Sequence, residues 1–346
     1  MSAQDTPIPL ASRIVVAIPT LNEADHIETT IRTLIGDDPR MREVRIVCAD
    51  GGSTDATRAI VERLRDEFVN VSVIDNPQRL AGAGVNAVAR AFAGRADVLV
   101  RCDAHAGYPR GFVFGVSEAL LRRDAVSIVV AMDSRGLTCF QKANAWAVDL
   151  PIGSGGAAHR GGRRSGYVDH GHHAAFRLEV FNRLAGYDAS FATNEDAELD
   201  VRLARAGGRI YLDADWRIDY FPRATLAAVW RQYRAYGRGR ARNLRKHAQR
   251  PKLRQAIPAV NLLALAGALA IAPLLPWALA APALYVGALA SASVFVALRE
   301  KSLCGLGAGL ALGAMHTAWA FGFLGETLTG TAEPAFEDAA AHLEGQ

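Results

Sequence analysis

Four short stretches of this chain bring polar and acidic side chains to places where an apolar run ends and a helix-like pattern begins. In residues 49–57, ADGGSTDAT, Asp50 closes an apolar run with a pair of acceptor oxygens that can take a nucleobase N–H, Gly51 and Gly52 permit a tight turn, and Ser53 to Asp55 can cap the next helix. In residues 101–109, RCDAHAGYP, Asp103 and His105 stand two apart on an extended segment, so both can face one divalent ion beside a diphosphate. In residues 18–23, IPTLNE, the residues Pro19, Asn22 and Glu23 leave another apolar run where a nucleotide would be met. In residues 193–208, Glu195, Asp196 and Glu198 crowd the start of an amphipathic pattern, and neighbouring acids of this kind can tune a general base. Each stretch alone has a plainer reading, a capped turn or acids complementing a helix dipole.

Two further stretches carry charge without an obvious catalytic pattern. Residues 153–171 are glycine-rich, hold Arg160, Arg163 and Arg164, and run into Asp169-His170-Gly171-His172-His173, which reads as a lid over a donor that orders when substrate binds. Residues 231–254 contain no acid and interleave Arg and Lys with Tyr233 and Tyr236, next to Trp230. Such a basic, aromatic run before an apolar segment suits an interface with anionic lipid headgroups better than nucleic acid.

The elements that must position these residues follow from apolar patterning. Nearly all-apolar runs at 14–18, 44–48, 71–74, 98–102 and 127–132 read as buried strands, with helices at 25–34, 54–67 and 81–92 between them. The order β-α-β-α-β-α-β predicts an α/β fold with a parallel sheet and ligands at the carboxyl ends of its strands. A nicotinamide-binding Rossmann domain is excluded because no GxGxxG follows the first strand.

Beyond residue 255 the character changes. Residues 256–275 and 280–298 each supply about the ~20 apolar residues needed to cross a bilayer. A third stretch, 303–324, is Gly-rich and carries His316, so the membrane domain holds two to three spanning helices. The chain divides into a tail (1–12), a catalytic domain (13–225), a basic interfacial segment (226–255), a membrane domain (256–325) and a second tail (326–346). Basic residues before the first span, and Arg299 and Lys301 after the second, place the catalytic domain in the cytosol, at the inner (plasma) membrane of a cell. The first residues lack a signal-peptide pattern. Cys48, Cys102, Cys139 and Cys304 show no CxxC pair and read as reduced thiols.

IPTLNE, DGGSTD, DAH and NED, in this order and spacing over roughly residues 13–240, resemble the family 2 glycosyltransferases of the GT-A fold. More narrowly, DGGSTD, DAHAGYP and GRGRAR resemble the branch that elongates succinoglycan-type exopolysaccharides. The resemblance implies a parallel-rich GT-A sheet with flanking helices followed by transmembrane helices. It also implies that Asp50 contacts the nucleobase, Asp103 the ribose and a divalent metal (Mn2+ or Mg2+), and His105 the metal, with Asp196 as catalytic base. Pro19, Asn22, Glu23 and Gly52 join the nucleotide site, while His172, His173, Gln232, Arg234 and Arg238 face the acceptor or the diphosphate. The usual DxD is here Asp103-Ala104-His105, whose nitrogen ligand moves metal preference toward manganese. Processive members carry QxxRW, and this chain has Gln232-Tyr233-Arg234-Ala235-Tyr236, which implies addition of a single sugar. The expected partners are a nucleotide-sugar donor, by resemblance UDP-glucose, a polyprenyl-diphosphate-linked saccharide acceptor and the membrane, with no nucleic acid. An enzyme that charges polyprenyl phosphate itself, and a non-catalytic scaffold on the same shell, are the alternatives.

Overall fold

The computed structural model of the chain describes residues 9–330. In chain order the regular elements are β1 (Ile14–Thr20), α1 (Ile27–Ile35), β2 (Arg45–Asp50), α2 (Thr57–Glu67), β3 (Val71–Asp75), α3 (Ala81–Ala91), β4 (Val98–Arg101), α4 (Phe112–Arg122), β5 (Ser127–Ser134), α5 (Cys139–Asp149), α6 (Pro151–Ser154), β6 (Gly166–Val168), β7 (His172–Arg177), α7 (Leu178–Arg183), α8 (Glu195–Arg205), β8 (Ile210–Tyr220), α9 (Leu226–Lys246), α10 (Leu253–Ile271), α11 (Ala280–Arg299) and α12 (Ala308–Thr329). They fall into two compact units. One comprises residues 9–133 and 161–220, the other 134–160 and 221–330.

The first unit is built on a sheet of order β3-β2-β1-β4-β7-β5-β8-β6. β3, β2, β1 and β4 run parallel, as their short βα connections require, so their carboxyl ends share one edge. The sheet is parallel-rich as expected, with β7 inserted antiparallel between β4 and β5 and with β6 and β8 paired antiparallel. Both faces are covered. Ile14, Val16 and Ile18 point into a core with Ile27 and Ile31 of α1, Leu64 of α2 and Val116 of α4. Val15 and Ala17, one residue out of step, point into a second core with Val85 of α3, Phe181 of α7 and Leu199 of α8. Burial on both faces is why these strands are apolar throughout rather than alternating.

In the second unit, α9 and α12 pack with their backbones almost touching. A Cβ at Gly237 would lie 2.1 Å from the Trp319 carbonyl oxygen, and one at Gly322 would lie 2.0 Å from that of Arg234. Small residues at such a crossing let helices approach where side chains would hold them apart. Glu326 of α12 pairs with Arg245 of α9. The basic run is thus half of a tight helix pair as well as a charged segment. α5 and α6 cluster with this unit. The glycine-rich stretch expected as a lid is divided between the units and returns to the sheet as β6 and β7.

Three segments, Leu253–Ile271, Pro276–Arg299 and Leu303–Thr329, are long and apolar enough to cross a membrane. Cys48 and Cys102 are free and buried, but Cys139 and Cys304 form a disulfide across a sequence separation of 165 residues. The reading of all four as reduced is corrected accordingly. It failed because a bond is set by spatial approach, which spacing along the chain does not report.

Candidate active site

The parallel strands deliver their polar residues to one edge. Asp50 ends β2 with 3% of its surface exposed, and its Oδ1 accepts the Ser53 hydroxyl at 2.6 Å. Gly52 (φ +78°) makes the turn that brings Ser53 back. Asn22 has a left-handed backbone (φ 57°), tolerated best by Asn among side-chain-bearing residues, and its side chain accepts the Thr54 N–H at 2.8 Å. The β1 and β2 loops are therefore tied to each other. Pro19 sits inside β1 beside Ala49. Glu23 faces His105 rather than the Asp50 turn: its Oε1 is 2.9 Å from His105 Nδ1, the arrangement by which a carboxylate orients an imidazole ligand.

Asp103 follows β4. Its backbone N–H donates to the Tyr108 hydroxyl at 2.6 Å, and the Thr30 hydroxyl holds the Ala104 carbonyl at 2.7 Å, so the Asp103–His105 turn is fixed from both sides. Burial works to raise the Asp103 carboxyl, but Arg101, then His172 and His105, outweigh it and hold it below the usual carboxylate range. His172 Nε2 lies 3.6 Å from Asp103 Oδ2. Among the described residues no group of three or more His, Cys, Asp or Glu side chains could hold an ion alone. One carboxylate and one oriented imidazole nevertheless fit a divalent ion whose remaining ligands are phosphate oxygens and water.

Arg101, buried at the end of β4, joins this edge to α8. Its guanidinium is 3.5 Å from Asp103 and 3.4 Å from Glu195. α8 begins after Asn194, again left-handed (φ 65°). Its first two residues are pushed in opposite directions. Burial raises Glu195, helped by Asp196 and opposed by Arg101. For Asp196 burial also acts upward, but His170, His173, Arg101 and the Ala197 N–H overcome it and hold the carboxyl well below its ordinary value. Glu198 is fully buried and pairs with Arg202, which also holds the carbonyl of Gly186, so this acid braces the turn after α7 and points away from the edge.

His173 was expected to meet the acceptor. It is buried instead, with one ring nitrogen on Tyr187 and the other on Asp200, because β7 alternates and Gly171-His172-His173 places the two rings on opposite sides. Gln232, Arg234 and Arg238 lie on α9 of the second unit, where Gln232 donates to Tyr236 at 3.0 Å and Arg238 stands 3.7 Å from Glu326. Sequence reasoning passed over Arg101, Tyr187 and Asp200, and named His170 only within the histidine cluster of the glycine-rich loop. Two of them left a signal: Arg101 is the single charge in the run VLVRC, and Asp200 interrupts the apolar stripe of Leu199 and Leu203.

A parallel-rich sheet with carboxylates at the ends of β2 and β4, and a helix N-terminus carrying an ionised Asp beside them, defines a GT-A glycosyltransferase. A solved structure of the same fold, a mannosyltransferase from Pyrobaculum calidifontis in complex with GDP-Man and Mn2+, aligns with TM-score 0.55 and 23% identity over 94% of this chain and 88% of that one. The Glycosyl transferase family 2 model matches residues 15–185, and the Glycosyl transferase family group 2 model residues 158–322. The succinoglycan biosynthesis protein ExoA of Rhizobium meliloti is 42% identical over 90% of this chain and 94% of its own length. A dolichyl N-acetyl-alpha-D-glucosaminyl phosphate 3-beta-D-2,3-diacetamido-2,3-dideoxy-beta-D-glucuronosyltransferase of Methanococcus voltae is 22% identical over 67% of this chain and 74% of its own. The chain belongs to the family 2 glycosyltransferases and is an enzyme of that class.

Proposed function

We propose that this enzyme transfers one sugar, glucose from UDP-glucose, with inversion to a polyprenyl-diphosphate-linked saccharide during assembly of an exopolysaccharide or envelope glycan. The observation that carries the reading is the position of Arg101, within 3.5 Å of Asp103 and 3.4 Å of Glu195, which sets a donor-side carboxylate next to the helix start that holds Asp196. The acceptor hydroxyl oxygen bonds to the sugar C1 as the bond from C1 to the diphosphate oxygen breaks. Its proton goes to Asp196, and the nucleoside diphosphate leaves. One displacement turns an α-linked donor into a β-linked product. Asp50 takes the base, Asp103 the ribose, and Pro19, Asn22 and Gly52 shape the nucleotide loop, with Glu23 acting through His105. Asp103 and His105 would hold a divalent ion, which would supply positive charge beside the departing diphosphate.

ExoA, by its name, serves succinoglycan biosynthesis, and the Methanococcus relative acts on a dolichyl-phosphate-linked sugar. The first name supports a role in polysaccharide assembly and the second a saccharide acceptor on a lipid carrier. Such an acceptor lies at a membrane surface, where a multi-pass anchor of α10, α11 and α12 would keep a cytosolic catalytic unit. The test is a screen of nucleotide sugars for release of nucleoside diphosphate, with manganese and either lipid-linked saccharide or polyprenyl phosphate alone. Release only with the saccharide supports the reading, whereas release with polyprenyl phosphate alone makes the enzyme a carrier-charging transferase.

A further inference from the structure

Behind Asp196 runs a buried polar chain that the transfer chemistry above leaves unused. Asp200 follows Asp196 by four residues on α8, so both carboxyls lie on one helix face, one turn apart. With 2% of its surface exposed, Asp200 accepts at both oxygens: Oδ2 is 2.6 Å from His170 Nδ1, and Oδ1 is 2.8 Å from His173 Nε2. His173 Nδ1 lies 2.9 Å from the Tyr187 hydroxyl, which receives the Arg101 guanidinium at 3.1 Å. Tyr187 is itself clamped, its backbone N–H and carbonyl both bound by the side chain of Asn86 on α3.

Arg101 can only donate, so the Tyr187 oxygen accepts from it and is also bonded to His173 Nδ1, while the Asp200 carboxylate accepts from His173 Nε2 and His170 Nδ1. Both imidazoles are thereby locked in ring orientation.

We propose that Asp200 and His170 are positioning residues of the transfer reaction: Asp200 locks His170 through Nδ1 so that its ring stands between the two acids of α8 and orients the Asp196 carboxylate toward the acceptor hydroxyl. Two carboxylates one helical turn apart repel, and an imidazole between them relieves that repulsion. The direction in which Asp196 is held agrees with this, because after burial His170 is the largest influence, ahead of His173 and Arg101, with Glu195 the adjoining acid. The inference rests on the reading of Asp196 as base.

Asp200→Asn tests the geometry. An amide can accept from one imidazole but must offer its N–H to the other. His173 keeps the oxygen, since Tyr187 holds its ring from the other side, so His170 must surrender its Nδ1 proton or swing away. His170→Gln, at a partly exposed position, keeps a donor toward Asp200 but no ring, and serves if Asp200→Asn does not fold. Turnover and donor affinity of the full-length enzyme are measured for both variants, in the wild-type background and in Asp196→Asn. The expected result is a loss of turnover of about 10- to 100-fold, the size typical when a partner that orients a reacting group is removed, with donor Kd unchanged and no further loss on top of Asp196→Asn. Near-wild-type turnover in His170→Gln, equal losses in both backgrounds, or a parallel loss of donor affinity would overturn the proposal. If instead Asp196→Asn alone leaves turnover intact, the base assignment fails and the positioning role falls with it.

Discussion

Glu195 and Asp196 are adjacent in the first turn of α8, yet burial leaves Glu195 raised while the imidazoles of His170 and His173 hold Asp196 low. Divergent environments of this kind separate a pair of acids into a proton holder and a carboxylate ready to act.

The pair predicts how stability varies with pH. A carboxyl whose folded pKa is raised keeps its proton in the native state where the unfolded chain has lost it, so its contribution is present below the unfolded value, about 4.3 for Glu, and is lost as pH rises through the folded one. Glu195→Gln removes that dependence. The unfolding midpoint of the variant, relative to wild type, should therefore improve as pH rises above about 4.3. A difference that stays flat from pH 4 to 7 would show that the Glu195 carboxyl is not raised in the folded protein.

Glu198 has a different task. It is fully buried against Arg202, and removing one member of a buried pair costs about 3–5 kcal/mol because the other charge is stranded. Glu198→Gln should lower stability by about that much, while the folded fraction turns over at the wild-type rate. Chemical denaturation of the detergent-solubilised variant decides it, and a collapse of turnover in well-folded Glu198→Gln would move catalysis to this acid.

The metal reading predicts that exhaustive chelation abolishes turnover and that manganese restores it better than magnesium. His105→Asp replaces a nitrogen ligand by oxygen and should shift the preference toward magnesium. Activity that survives chelation would leave the diphosphate charge to Arg side chains and remove the role given to His105.

Three of the four motifs were legible because each ends an apolar run, and such runs are forced on strands buried on both faces, as Val15 and Val16 show by entering opposite cores; the fourth was legible because its acids open the amphipathic helix α8. β7 and β8 were not legible. His172-His173-Ala174-Ala175 mixes polar and apolar residues, and nothing local to it specifies β4 and β5 as antiparallel partners. The Arg101–Tyr187–His173–Asp200 chain was hidden for the same reason: its members come from β4, β7, α8 and the turn after α7, and each alone looks like a tolerated exception in a core. The α9–α12 pair left Gly237 and Gly322 as traces, outweighed by the surrounding arginines.

Cys139 and Cys304 predict a test of topology. The positive-inside reading puts the turn after Arg299 and Lys301 in the cytosol, where thiols are kept reduced. If that assignment holds, trapping thiols with a maleimide in growing cells finds the pair reduced, and the bond seen in the structure closes only once the protein leaves the cytosol. A bond already closed in the cell would place that turn on the oxidising face and reverse the assignment.

The most direct measurement is turnover of Asp196→Asn with donor affinity taken on the same preparation. Asparagine keeps the size of the side chain and cannot accept the acceptor proton, and a positioned base contributes ~10² to 10⁴ in rate. Turnover should fall by about that factor while nucleotide-sugar Kd stays within experimental error of wild type. Turnover near wild type in Asp196→Asn, with collapse in Glu195→Gln, would move the base by one residue; loss of donor binding in Asp196→Asn would make the residue part of the scaffold and contradict its assignment as the base.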